Sequence, residues 1–376
     1  MAYTTIDDPS QYFQIVLWSG DNSDSRNITN DGNSDLQPDW VWIKCRNAQG
    51  NGYSHNVHDT SRGVDSNINK SLFPDVTDTE GGGDSITTSA QLGGVSAMLS
   101  DGFTVKEGNT DDARYVNKSS NTYVAWQWKA NGGSTTTNDA SATSVGTIDS
   151  VYQANTTARF SILTYSGSGS AGTIAHGLGV TPNWVIIKNR GSSTRGWIVY
   201  HDKSHGTPEE NFTLLNTTAA VADLDRMNDT APTSTVFSVS DDTHVNNGSD
   251  TYVAYCFANV QGYSKFGSYK GNGNTDGAFV YTGFKPAWVM IKRTNDTQDW
   301  VIFDNKLRPA NGVDNGFLSP NKDDDEDSSD QFDIVSNGFK LRMTSNLANG
   351  SGDDYIYMAF AEHPFVSSEG VPVTAR

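Results

Sequence analysis

The feature that most constrains this chain is a short string that occurs three times. Pro38-Asp39-Trp40-Val41-Trp42-Ile43-Lys44 returns as Pro182-Asn183-Trp184-Val185-Ile186-Ile187-Lys188, and again as Pro286-Ala287-Trp288-Val289-Met290-Ile291-Lys292. Self-similarity of this kind marks a repeat architecture. Apolar residues run continuously through each string, so it reads as a strand with two covered faces. Alternation puts Trp40, Trp42 and Lys44 on one face and Val41, Ile43 and Cys45 on the other. The Val/Ile face is expected to enter a sandwich core. The Trp face is expected to lie under a loop or a neighbouring domain, with the lysine at its wet end. A second strand follows a short turn such as 46–52, so an antiparallel hairpin is expected. Its closing acid, Asp59, Asp202 or Asp304, then lies opposite the Pro-Trp start rather than opposite the lysine. No Lys–Asp pair is expected within a copy.

The surroundings repeat too. An aromatic followed by x-Gly precedes each motif, at Trp18, Tyr165 and Tyr269. A Phe-containing strand follows at Phe103, Phe237 and Phe339, and each copy ends on an aromatic strand beginning at Tyr123, Tyr252 or Tyr355. The first copy is longer by about 15 residues, an insertion expected within 65–100, which includes the Gly81-Gly82-Gly83 turn. The stretch Gln91–Leu99 is expected to make one short helical turn, its two glycines opposing more. Other apolar runs are short, alternating and bounded by Gly, Asn, Asp or Ser. The expected fold class is therefore all-β, with three tandem β-sandwich (jelly-roll-like) repeats and very little helix. The boundaries are 1–131, 158–261 and 262–365, with a Ser/Thr/Gly/Asn-rich linker over 132–157 and a tail over 366–376. Part of that linker, 145–154, is expected to run as a strand along the second copy. The long first join predicts freedom for the first copy. The short second join (259–264) predicts a stiff rod, and the tail is expected to be disordered or to dock on a neighbour.

The formal charge of −18 repels phosphate backbones, which excludes nucleic acid and anionic membranes as expected partners. Two cysteines, Cys45 and Cys256, are too few for a disulfide framework and read as buried free thiols. Residues 1–8 carry neither a basic region nor an apolar run, so no signal peptide is expected. No stretch approaches a membrane span, so no insertion is expected. Synthesis in a reducing cytoplasm followed by release on lysis fits these readings.

Motifs with chemical potential are weak. His201 and His205 are four apart but lack the Glu of a zinc protease and precede Gly206 and Pro208, so a solvated turn is expected and no metal site. The run Asp323-Asp324-Asp325-Glu326-Asp327 has neither the spacing nor the glycine of a calcium loop, and reads as a solvated loop cluster. The segment Asn30–Asp35 reads as an oxygen-rich turn. The carboxylates at repeated positions, Asp59, Asp202 and Asp304, occur once per copy, which points to architecture, because an active site normally occurs once. Glycosylation triplets at Asn27, Asn155 and Asn216 are expected to be bare. The chain has no phosphate loop, dinucleotide fingerprint or nucleophile elbow, so no catalytic residue and no cofactor is expected. Exposed aromatics could stack on sugars, although composition does not single out which of the 40 aromatic residues are exposed, and no binding residue is assigned.

Five strings, His176–Trp184, Tyr252–Ala258, Gly262–Tyr269, Phe279–Pro286 and Ala361–Phe365, give the chain a resemblance. It resembles the β-rich repeat domain of tail-fibre and virion structural proteins of marine bacteriophages, over essentially its whole length. The resemblance implies a virion location and no enzyme activity, and it carries no catalytic residues. A tail-fibre-like appendage for host-surface recognition is the expected function. A capsid decoration, cement or head-fibre protein is the alternative, and a polysaccharide-degrading tailspike a distant one. The first copy begins near Tyr12 with no fibre shaft before it, which favours capsid attachment. Expected partners are other virion proteins and a host cell-surface glycan or protein. Exposed strand edges in such appendages favour a homo-oligomer, a trimer first.

Overall fold

In the computed structural model each motif forms an inner strand of an antiparallel sheet, and the same four-strand arrangement occurs in all three copies, alone in the first and third and extended to an eight-stranded sheet in the second. The structure describes residues 2–50, 53–64, 68, 70–82, 89–110, 112–307, 311, 315–330 and 332–373, without the side chains of 89–90, 315 and 329–330. Each sheet has an opening strand (Phe13–Ser19, Phe160–Ser166, Ser264–Lys270) and a motif strand (Trp40–Cys45, Trp184–Asn189, Phe284–Arg293). A closing strand (Thr122–Trp128, Thr251–Phe257, Asp354–Pro364) lies between those two, and a hairpin strand (Asn56–Asp59, Ile198–His201, Val301–Asp304) flanks the motif. Trp40 pairs with Trp128, Trp184 with Phe257 and Trp288 with Phe360, so the register is the same in every copy. Pro286 is tolerated inside its strand because the ladder is irregular on both sides of it.

Outside each inner sheet lies a smaller outer one: Ser25–Ile28 with Gly102–Lys106 and Gly94–Leu99, Gly172–Ala175 with Val236–Val239, and Phe279–Tyr281 with Gly338–Leu341 and Phe332–Val335. The Val/Ile faces fill the space between the two sheets, giving each lobe a core of its own. The chain is all-β with sandwich-type lobes. Among the described residues helix is confined to short turns, of which Ser89–Leu92 is one, and the expected helical stretch becomes a strand from Gly94 to Leu99. Of the expected insertion, 65–67, 69 and 83–88, which include Gly83 of the glycine turn, lie outside the described residues. Stacked aromatics tie each opening strand to its closing strand: Trp18 on Tyr123, Tyr165 on Tyr252 and Tyr269 on Tyr355, at 4.9–5.3 Å. The glycine two residues after each opening aromatic is required. A Cβ at Gly20, Gly167 or Gly271 would lie 2.0, 2.1 or 2.3 Å from a carbonyl oxygen of the loop leading into the closing strand.

The Trp faces of all three inner sheets meet in one further core. Trp40, Trp42, Trp126 and Trp128 of the first lobe pack there with Trp184, Tyr255 and Phe257 of the second and Trp288, Met358 and Phe360 of the third. The copies therefore close around a pseudo-threefold centre, and this corrects both the rod and the loosely held first copy. The linker is likewise built in. Its strand Ser150–Asn155 pairs with Phe160–Ser166, and the Asp39 carboxylate accepts from the amides of Ala130, Gly132 and Gly133. Over its described residues the tail folds back on itself through Val366 and Pro372 and is held at Ser368 by Asp7.

Candidate functional site

The repeated polar residues all serve the seams between lobes. Asp59 lies opposite Trp40 and Asp304 opposite Trp288, as expected, but His201 and not Asp202 lies opposite Trp184. Each of the three reaches into the next lobe. Tyr255 donates to Asp59 at 2.7 Å, Trp126 Nε1 donates to Asp304 at 2.8 Å, and His201 Nε2 faces the Tyr357 carbonyl at 3.4 Å. Where the second lobe offers Tyr255 and the first Trp126, the third offers Met358, which has no donor. A backbone carbonyl takes its place, and the acid becomes a histidine. Burial pushes the Asp304 carboxyl up to about 6 and the His201 imidazole down to about 4. Four residues earlier in each hairpin strand, His55 Nε2, Trp197 Nε1 and Trp300 Nε1 approach the carbonyls of Ser319, Phe73 and Leu214 in the previous lobe.

The motif lysines are not at a wet end; all three are buried. Lys44 donates to the carbonyls of Tyr53 and Asp323, Lys188 to those of Arg195 and Thr77, and Lys292 to those of Gln298 and Thr218. One carbonyl in each pair belongs to the neighbouring lobe. Three residues beyond that carbonyl, the amides of Glu326, Glu80 and Val221 bond Arg46, Arg190 and Thr294 on the lobe they strap. Burial lowers all three ammonium pKa values, to about 7 for Lys188 and about 8 for Lys292. The acidic run around Asp323 is thus one of three equivalent straps, with Glu326 paired to Arg46 at 2.8 Å, while Asp324, Asp325 and Asp327 stay exposed as expected of a solvated loop cluster.

The other candidates are similarly occupied. Both ring nitrogens of buried His201 are engaged, Nδ1 accepting from the Lys203 amide, so the expected solvated turn begins only after it. His205 lies in the exposed turn. Asp31 of the Asn30–Asp35 turn pairs with Lys306 of the third lobe. Asn27 accepts from Thr104, Asn155 donates to the Ala130 carbonyl, and Asn216 accepts from the Trp197 amide. Cys45 and Cys256 are buried free thiols. Among the described residues no cluster of His, Cys, Asp and Glu is placed to hold a metal, and no helix is long and apolar enough to cross a membrane.

What is not repeated is a surface on the third lobe. On the outer strand Phe279–Tyr281 the central Val280 enters the lobe core, so alternation turns both aromatic neighbours outward. Phe279 is 50% exposed and Tyr281 53%. The equivalent pair is Asn27 and Thr29 in the first lobe and Thr173 and Ala175 in the second, judged from the pairing of Val280, Ile28 and Ile174 with Phe339, Phe103 and Phe237. Tyr281 lies opposite Gly338, which has no side chain to cover it. Its hydroxyl meets that of Tyr3 at 3.3 Å, and Tyr3 is fixed by donating to the Gly283 carbonyl at 2.7 Å. Beside Phe279 stands Lys340, bound to Asp276 at 2.6 Å. Next to that pair Arg342 reaches Asp333 at 2.7 Å. The Lys340 ammonium holds the Asp276 carboxyl below its usual range. Two open rings bordered by fixed carboxylates and cations form a platform that takes a flat ligand with an apolar face and polar edges. Sequence reasoning quoted this strand without singling it out. The available signal was the difference between copies, aromatics flanking the core valine in one copy and the smaller Asn27, Thr29, Thr173 and Ala175 flanking its equivalents in the others.

A family model described as Domain of unknown function (DUF7483) matches residues 8–364. No curated protein and no solved structure matches the chain.

Proposed function

The chain belongs to the DUF7483 family, and we propose, on the resemblance of its repeats and on the exposed aromatics of its third lobe, that it is a non-enzymatic bacteriophage virion protein, a tail-fibre-like appendage whose third lobe binds a host-surface glycan. The observation that carries the reading is the pair Phe279 and Tyr281, half exposed in one copy and replaced in the other two. Two large rings left half exposed on one copy serve no packing role there, whereas seam residues that differ between copies, such as His201 and Met358, are buried. Sugar rings present an apolar C–H face to aromatics and hydroxyls to carboxylates and cations, and the platform offers both. Weak single sites become useful when particles display many of them, which is where the proposed homo-oligomer, a trimer first, belongs.

The test is binding of the purified protein to surface polysaccharide extracted from host cells. Phe279→Ala and Tyr281→Ala are each expected to weaken it at least tenfold, while Thr173→Ala at the equivalent second-lobe position leaves it unchanged. Equal binding by all three variants overturns the reading. The exposed Val371 and Val373 of the C-terminal segment favour capsid decoration as the second reading. Labelling of intact particles separates the two, since label on the capsid lattice supports decoration and label at the tail periphery supports the appendage.

A further inference from the structure

The seams between lobes are filled unequally, and the inequality points to a second binding surface. At the seam of the first and second lobes the linker strand Ser150–Asn155 adds to the outer edge of Phe160–Ser166. Gln153 on that strand crosses to the first lobe and donates to Thr60 and Ser61, which follow Asp59. The join between the second and third copies is too short to provide such a strand. At the matching place, between Lys203, Ser204 and His205 after His201 and Ser268, Tyr269 and Lys270 on the opening strand, the structure has an open cleft of about 880 Å3. Among the described residues no strand pairs the outer edge of Ser264–Lys270. The direction of that edge follows from the ladder. Gly271 donates to Asp353 and Ala361 to Tyr263, so odd-numbered residues face the closing strand, and the amides of Ser268 and Lys270 point into the cleft. In the second lobe the residue equivalent to Ser268 is Thr164, which is paired to Val151 of the linker strand.

We propose that this cleft accepts an extended strand of another polypeptide, which adds to the edge at Ser268–Lys270 as the linker strand adds to the second lobe. Main-chain pairing of this kind depends on an exposed edge, with side chains refining the choice. Both lysines at the rim are already matched, Lys203 with Asp202 at 3.1 Å and Lys270 with Asp354 at 2.7 Å, while Glu210 and Asp223 of the lining have no ion pair among the described residues. With its lysines engaged and unpaired carboxylates in its lining, the cleft disfavours an acidic occupant, and the occupant is an uncharged strand like Ser150–Asn155, which fills the first seam. This surface is independent of the aromatic platform.

The probe is an acetylated, amidated peptide with the sequence of residues 150–156, added to the full-length protein. Saturable binding is expected, with slowed hydrogen exchange at the Ser268 and Lys270 amides. Ser268→Pro, which removes an outward donor at an exposed position, is expected to weaken binding at least tenfold. Absence of saturable binding at millimolar peptide overturns the proposal, as does binding that leaves both amides unprotected. Undiminished affinity in Ser268→Pro does the same. The exchange measurement on the unaltered protein decides the matter even where the proline variant does not fold.

Discussion

Trp288 is enclosed by Trp126, Trp128 and Phe13 of the first lobe and Phe360 of its own, with ring centroids 5.6 to 6.5 Å away. Its indole nitrogen, like those of Trp40, Trp128 and Trp184, has no acceptor among the described residues, so its contribution is packing rather than hydrogen bonding. Trp288→Ala is expected to cost about 3–5 kcal/mol, read from chemical denaturation, because the surrounding lobes can collapse only in part onto the cavity. Phe279→Ala removes a ring of similar size from a half-exposed site and is expected to change stability by no more than about 0.5 kcal/mol while abolishing glycan binding. A loss of several kcal/mol at Phe279 would place that ring in the architecture and not in a recognition surface.

At the scale of elements the straps are equivalent in the backbone and unequal in their side chains. Glu80 meets Arg190 at 2.6 Å, Arg62 at 3.3 Å and Lys70 at 3.2 Å, and these cations hold its carboxyl down to about 2 against the opposing effect of burial. Among the described residues Glu326 has the single cationic partner Arg46, and Val221 of the remaining strap has no charge to pair. Removing one member of a buried charge network leaves the others unmatched. Glu80→Ala is therefore expected to cost about 2–4 kcal/mol and Glu326→Ala about 1 kcal/mol or less. Equal losses in urea titrations would mean that the straps act through their backbone bonds alone.

The whole molecule is expected to unfold in one transition, because the shared aromatic core belongs to no single lobe. Calorimetry resolving two or three separate transitions would contradict this. The pH dependence has a definite sign at His201, which stays neutral in the folded state down to about 4 while the unfolded chain takes a proton near 6.5. Between those values the unfolded state binds more protons, so this histidine's contribution falls as pH falls. Asp304 acts in the opposite direction. Its folded pKa of about 6 lies above the unfolded value, so the folded state gains relative stability as pH drops from about 6 toward the usual carboxylate range. The histidine's share is isolated by comparison with His201→Gln, whose penalty at pH 7 is expected to shrink by about 2 kcal/mol at pH 5. A penalty independent of pH would mean that His201 titrates in the fold as it does in the unfolded chain.

The sequence by itself determined the three copies, their common register, the alternation that splits Trp40 from Val41, and the hairpin that sets Asp59 opposite Trp40. These follow from strand period and turn length, which are local properties of the backbone. It also marked the Trp face as covered. Only the tertiary structure decided what covers it, because a second apolar face records that it is buried and not against which partner. Closure of the three copies on one another placed the motif lysines in carbonyl cages at the seams, made a strap of the backbone of the solvated acidic run, and put His201 where an acid was expected. The aromatic platform was legible only by difference. Phe279 and Tyr281 have the composition of core residues, and it is the inward turn of Val280 between them that leaves both rings in solvent.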